Sequence, residues 1–121
     1  MPKDPAARAK RYAARAASFR KNNPTVPVVK DIDAKILAAV ESGKGKLEMG
    51  SWHYCETTHC RAGWAITLAG EAGKTLEDDR GPFHAGVAIY LASTGRAPHF
   101  FDRSNERALA DIRACAKGQT P

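Results

Sequence analysis

Aromatic residues are scarce in this chain, nine in 121, and cysteines number only three. No apolar run is long enough to span a bilayer, and no acidic residue falls between Pro5 and Lys30. Each shortage excludes something. The apolar share is 43%, but alanine carries much of it, so the core is modest and close helix packing must do much of the stabilising. Three cysteines cannot all pair within the chain, and the thiols of a cytosolic protein stay reduced. Without an apolar span, no membrane partner is expected. The basic N-terminus leads into no apolar segment, so it does not read as a secretory signal. An Arg- and Ala-rich, acid-poor start also suits an organelle transit peptide. Here, though, three arginines share a helical face with two aromatics, which fits a working surface in a cytoplasmic protein better.

What the chain has is an uneven charge. Its net charge is +6. Residues 1–30 hold eight Lys/Arg and a single acid, Asp4, whereas residues 31–121 hold eleven bases and twelve acids. A basic arm therefore precedes a nearly neutral body, and the arm favours acidic partners such as nucleic acid.

Periodicity points to helices throughout. Pro5 suits a first helical position and Asp4 an N-cap, which opens a helix over 5–21. At about 100° per residue, Arg8, Arg11, Tyr12, Arg15 and Phe19 fall on one side of it. Asn22 to Lys30, with two prolines, reads as a linker. A second helix fits 32–42, capped by Asp31, with Ile32, Ile36, Leu37 and Val40 as its stripe. Residues 46–57 show no period and read as an ordered loop. The third helix should start near Thr57 or Thr58 and run to Gly70, or on to Leu76. Gly63 and Gly70 would let another backbone approach it. A charged loop over 77–81 follows, then a helix from Pro82 burying Phe83, Val87, Tyr90 and Leu91. The last helix spans 104–117, capped by Ser104 and stopped by Gly118, with Leu109, Ile112 and Cys115 inward. The expected fold is all-α: a small helical domain of four or so helices at 26–121, with no sheet of three or more strands, behind a basic helical arm and linker at 1–25.

Trp52 to Trp64 gathers both tryptophans, two of the three cysteines and two of the four histidines into thirteen residues. His53, Cys55, His59 and Cys60 are the candidate metal donors, and zinc is the metal that thiolate and imidazole suit. All four are local, however, and adjacent His59 and Cys60 would diverge on a helix. A workable set would need a distant partner such as His84, His99 or Cys115. Packing is the stronger reading: a buried cysteine behaves as a small hydrophobe, and Cys60 would lie with Trp64 and Leu68. Thiol chemistry is a further alternative, because a helix N-terminus lowers the pKa of an exposed thiol. No metal or other cofactor is expected.

Two motifs fail on inspection. Gly73-Lys74-Thr75 looks like the end of a phosphate-binding loop, but Leu68 stands where its first glycine belongs and a helix precedes it. Glu77-Asp78-Asp79 near His84 is an acidic run of the kind normally solvated. Nothing points positively to an enzyme.

The arm carries the best functional signal. Arg8, Arg11 and Arg15 interleaved with Tyr12 and Phe19, and followed by Arg20 and Lys21, can contact phosphates and stack on bases. Equally, Tyr12 and Phe19 could dock the helix on the body while the arginines rim that contact.

The run Cys55-x-Thr57-x-x-Cys60-x-Ala62-Gly63-Trp64-Ala65 resembles a signature that opens a helix in a loose group of small bacterial and phage-type proteins. The similarity covers roughly residues 47–112 and leaves the arm outside. It implies a phage or mobile-element origin and a small helical domain, and it brings no known activity.

The expected function is thus a non-catalytic nucleic-acid-associated accessory or regulatory protein that binds DNA or RNA through the arm. The alternative is a phage-type inhibitor of a host defence protein, docking through Trp52, Tyr54, Phe100 and Phe101. A zinc- or thiol-based module is the third reading.

Overall fold

The computed structural model describes residues 4–50, 52–55, 58–100 and 104–121; of Tyr54 and Cys55 it describes the backbone alone. Among these residues the chain is a small helical domain with six helices, the arm and five behind it, one more than the four or so expected there. They are α1 (Pro5–Asn22), α2 (Ile32–Glu41), α3 (Arg61–Leu68), α4 (Gly70–Arg80), α5 (Pro82–Thr94) and α6 (Asn105–Ala116).

The extra helix comes from Gly70. The expected third helix does not run on past it: Gly70 takes φ +66°, a conformation that breaks the helix and that glycine adopts without steric cost. The chain then restarts as α4, which continues through Glu77–Arg80, so the expected charged loop is a helical turn. The start also differs. Cys60, not Thr57 or Thr58, is the N-cap of α3, and its Sγ accepts the Gly63 amide at 3.3 Å. Thr58 lies in a strand and Thr57 outside the described residues. Asp31 stands at the N-cap position of α2, but in the left-handed region and with no side-chain cap bond. Asp4 and Ser104 do cap, accepting from Ala6 and Arg107 amides at 3.3 and 3.2 Å.

The expected loop before α3 contains a small sheet, which corrects the expectation of none with three strands. Strands β1 (Lys46–Leu47), β2 (His53–Cys55) and β3 (Thr58–His59) stand in the order β1-β3-β2. The β1–β3 pair is parallel and the β2–β3 pair antiparallel. Such short strands carry no readable alternation.

The core gathers around α3, whose first six residues are all buried. A helix buried all round sits at a domain's centre. Small residues permit it. A Cβ on Gly86 of α5 would lie 2.6 Å from the Ala62 Cβ, and one on Gly63 only 1.9 Å from the Trp52 carbonyl oxygen. Gly63 thus admits a second backbone as expected, whereas a Cβ on Gly70 would meet nothing within 4 Å among the described residues.

One polar clasp ties four helices together. The Arg61 guanidinium, 2% exposed, donates to Asp33 of α2 (2.7 Å), to the Tyr90 hydroxyl of α5 (2.9 Å) and to Asp111 of α6 (2.5 Å). Tyr90 donates in turn to Asp33 at 2.6 Å, and Arg96 grips Asp111 with two 3.0 Å bonds. Burial alone would lower the Arg61 pKa; Tyr90, Asp33 and Asp111 outweigh it and hold the group charged. A buried charge persists only when answered in this way.

Candidate nucleic-acid interface

The basic arm does not stand free of the body. Helix α1 lies along α5. Tyr12, 9% exposed, and Ala16 are buried in that contact, and Phe19 packs against the core cluster. These three recur at i, i+4 and i+7, the inner stripe of an amphipathic helix. The Tyr12 hydroxyl donates to the Pro121 carbonyl at 2.6 Å, and Arg20 Nη1 donates to the Ala92 carbonyl at 2.9 Å. Tyr12 is therefore not a base-stacking side chain; it docks the arm. The segment from 23 to 31 is docked as well. Val26 and Val29 are buried, and the Val29 amide donates to Ser93 Oγ at 2.9 Å.

Docking sorts the basic residues. Lys10, Arg11, Arg15, Arg20 and Lys21 are exposed, while Arg8 is half-buried. Helix α1 contains no acidic residue. Lys10 to Lys21 covers about 17 Å of helix. The arm is thus a rigid basic ridge on the body.

Two open hollows flank this ridge. One, of about 640 Å³, lies between α1 and the chain after α5, bounded by Arg15, Ser18, Asn22 and Arg96. The other, of about 450 Å³, lies among α1, α4 and α5, bounded by Arg80, His84 and Val87. Phe19, Asn23 and Leu91 border both.

The Cys/His cluster takes an unforeseen form. His53 Nδ1 faces His59 Nδ1 at 2.7 Å, and His53 Nε2 faces the Glu77 carboxylate at 2.7 Å. The histidines form a chain reaching α4; the Cys55 side chain lies outside the described residues. Among the described residues, no three His, Cys, Asp or Glu side chains are grouped to hold a metal. Cys60 is 1% exposed, beside Trp64 in the core. Burial pushes its thiol pKa up despite the Gly63 and Ala62 amides, so the activated thiol expected of an exposed helix N-terminus is not what the fold builds. Burial raises Cys115 too; its Sγ accepts from Arg96 at 3.2 Å.

The aromatic patch of the host-protein alternative is not assembled as expected. Phe100 is 4% exposed, and its ring packs edge-on against Tyr90 and Phe83. Trp52 is half-buried, with its carbonyl against Gly63. Phe101 and the Tyr54 side chain lie outside the described residues.

The clasp is what the sequence reading missed. Its signal was present: Arg61 sits between Cys60 and Ala62-Gly63-Trp64, and Asp33 follows Ile32 at the head of an apolar stripe. Charges inside apolar runs point to a buried pair. No protein-family model matches the chain, and no curated protein or solved structure does either. No helix among the described residues is long and apolar enough to cross a membrane.

Proposed function

We propose that the protein is a non-catalytic nucleic-acid-associated accessory protein whose contact surface is the outer side of α1. The observation that carries this is the set of exposed bases Lys10, Arg11, Arg15, Arg20 and Lys21 around the outer side and flanks of a docked helix without an acid. A rigid ridge presents its charges without first losing the entropy of ordering an arm. The body has one more acid than bases and offers no comparable field. Tyr12 serves by fixing the ridge, and neither catalysis nor a metal enters the reading.

Fluorescence anisotropy with labelled 20-mers of DNA and RNA tests it. Five phosphate contacts on duplex DNA predict a slope of about −4.5 in log affinity against log salt. Replacing Lys10, Arg11 and Arg15 with glutamine should flatten it by about 2.7. If no oligomer binds at 50 mM salt, the reading is wrong. One zinc per purified chain, lost together with the fold on mutating Cys55 or Cys60, would instead favour a metal-based module.

A further inference from the structure

The two hollows beside α1 form one trough, because Phe19, Asn23 and Leu91 are walls of both. Phe19 stands with Asn23 and Leu91 where the two meet. Its ring is half-buried against the core, so it is held in place while part of it faces the trough. Arg15 lies at one end and Arg80 at the other, both exposed; Arg80 is in a loose, solvent-facing pair with Asp79 at 3.8 Å that a phosphate can displace. No acidic side chain borders either hollow among the described residues. Arg96 also lines the trough, but Asp111 answers its charge, so it acts as a wall.

The chemistry in between is that of a base-binding surface. Arg15, Ser18, Phe19 and Asn22 share one stripe of α1, by helical spacing. A serine hydroxyl and an asparagine amide offer both donors and acceptors to base edges. Volumes of about 640 and 450 Å³ fall in the range that holds drug-sized ligands, and each suits one base with its sugar. A double helix presents its bases stacked inward and cannot place one in each hollow. An unpaired strand can, with its phosphates toward the arginines and a ring between successive bases.

We propose that this trough binds single-stranded nucleic acid, with one base on each side of Phe19 and with Arg15 and Arg80 toward the phosphates. The proposal rests on the nucleic-acid reading above and narrows it. It moves the contact from the outermost face of α1 to its flank, and it adds Arg80 and His84, which lie outside the arm.

The test uses the full chain with labelled dT12 and U12, a 12-base-pair duplex, and an abasic 12-mer with the same phosphates. Either single strand should bind at least about tenfold more tightly than the duplex or the abasic strand, since stacking contributes about five- to hundredfold per base. Arg80→Gln should weaken single-strand binding and reduce its salt slope by about 0.7. Phe19→Leu keeps apolar mass against α5 and should lose affinity for the strand but not for the abasic oligomer. Asn22→Ala, at an exposed helix end, covers the case in which the leucine variant loosens α1. Three results would overturn the proposal. The duplex could bind as well as the strands, with Arg11→Gln weakening both while Arg80→Gln and Phe19→Leu change nothing; the ridge would then be right and the trough wrong. The abasic oligomer could bind as tightly as dT12. Polyglutamate could displace dT12 at equal charge, which would make the trough a general acidic-chain site. Failure of every oligomer to bind would instead remove the nucleic-acid reading itself.

Discussion

Gly95 and Tyr12 touch backbone to backbone: a Cβ on Gly95 would lie 2.0 Å from the Tyr12 carbonyl oxygen. Gly95 also holds φ +77° at the C-cap of α5. Both features say that α1 is seated where glycine alone allows it. Gly95→Ala should lift α1 from α5. The left-handed conformation alone costs about 1–2 kcal/mol, and the clash adds to it. A fall in Tm of several degrees, with faster amide exchange across 5–22, is the expected result. Unchanged exchange there would mean that α1 is held in another way.

Deleting residues 1–22 should leave a folded but weakened body. The core cluster runs from Val26 to Ile112; neither Tyr12 nor Ala16 belongs to it, and Phe19 only packs against it from outside. Removing Tyr12 forfeits about 1.5–3 kcal/mol of burial and bares part of α5. The truncated chain should keep its helical far-UV spectrum, melt at a lower temperature and bind no nucleic acid. Loss of the helical spectrum would make α1 part of the folding unit.

The long helices were legible because each had a clear period and punctuation. Asp4 and Pro5 open α1, Pro82 opens α5, and Ser104 with Gly118 brackets α6. The break at Gly70 was not, because glycine within a helix and glycine ending one look alike in sequence. Nor could two- and three-residue strands be seen, since they are too short for alternation. In the candidate site, the basic character of α1 was readable but its inner side was not. Tyr12 and Phe19 share a face with Arg8 and Arg15, and only the position of α5 decides which of them meets the body. The trough was out of reach for the same reason: Arg80 and His84 are some sixty positions from Phe19.

Arg61→Met should be severely destabilising. It leaves Asp33, 7% exposed, and Asp111 without their buried partner, a loss of about 3–5 kcal/mol. Methionine keeps the apolar stem but not the guanidinium, so the loss combines unanswered charge with the space the guanidinium leaves. A Tm within a degree or two of wild type would show that water already screens the clasp.

The same clasp sets an acid limit. Burial works against the Asp111 carboxylate, but hydrogen bonds from Arg96 and Arg61 outweigh it and hold its pKa below the ordinary value. A carboxylate depressed in the folded state contributes stability that is fully present above its unfolded pKa, about 3.9, and is lost as pH falls through the folded one. Asp111→Asn should therefore cost stability at pH 7, and its gap to wild type should stay constant down to about pH 5. Below about pH 4 the gap should narrow, as read from urea unfolding at each pH. A gap that widens in acid would give the group the opposite shift.

His53 and His59 make a prediction about protons. Their Nδ1 atoms stand 2.7 Å apart, a hydrogen-bond distance that needs one proton between them. Glu77 accepts on the other side, so in the uncharged pair His53 carries its proton on Nε2 and leaves Nδ1 as acceptor. His59 must then carry its proton on Nδ1. Nitrogen-15 spectra should show the two rings in these opposite tautomers. Strand β2 pairs with β3 and reaches α4 through this chain. Glu77→Ala removes the group that fixes the His53 tautomer. It should mix the two tautomers at His53, cost about 0.5–1.5 kcal/mol and loosen β2 at neutral pH. Identical tautomers on the two rings, or a β2 whose protection ignores Glu77→Ala, would show that the pair is a packing contact without a shared proton.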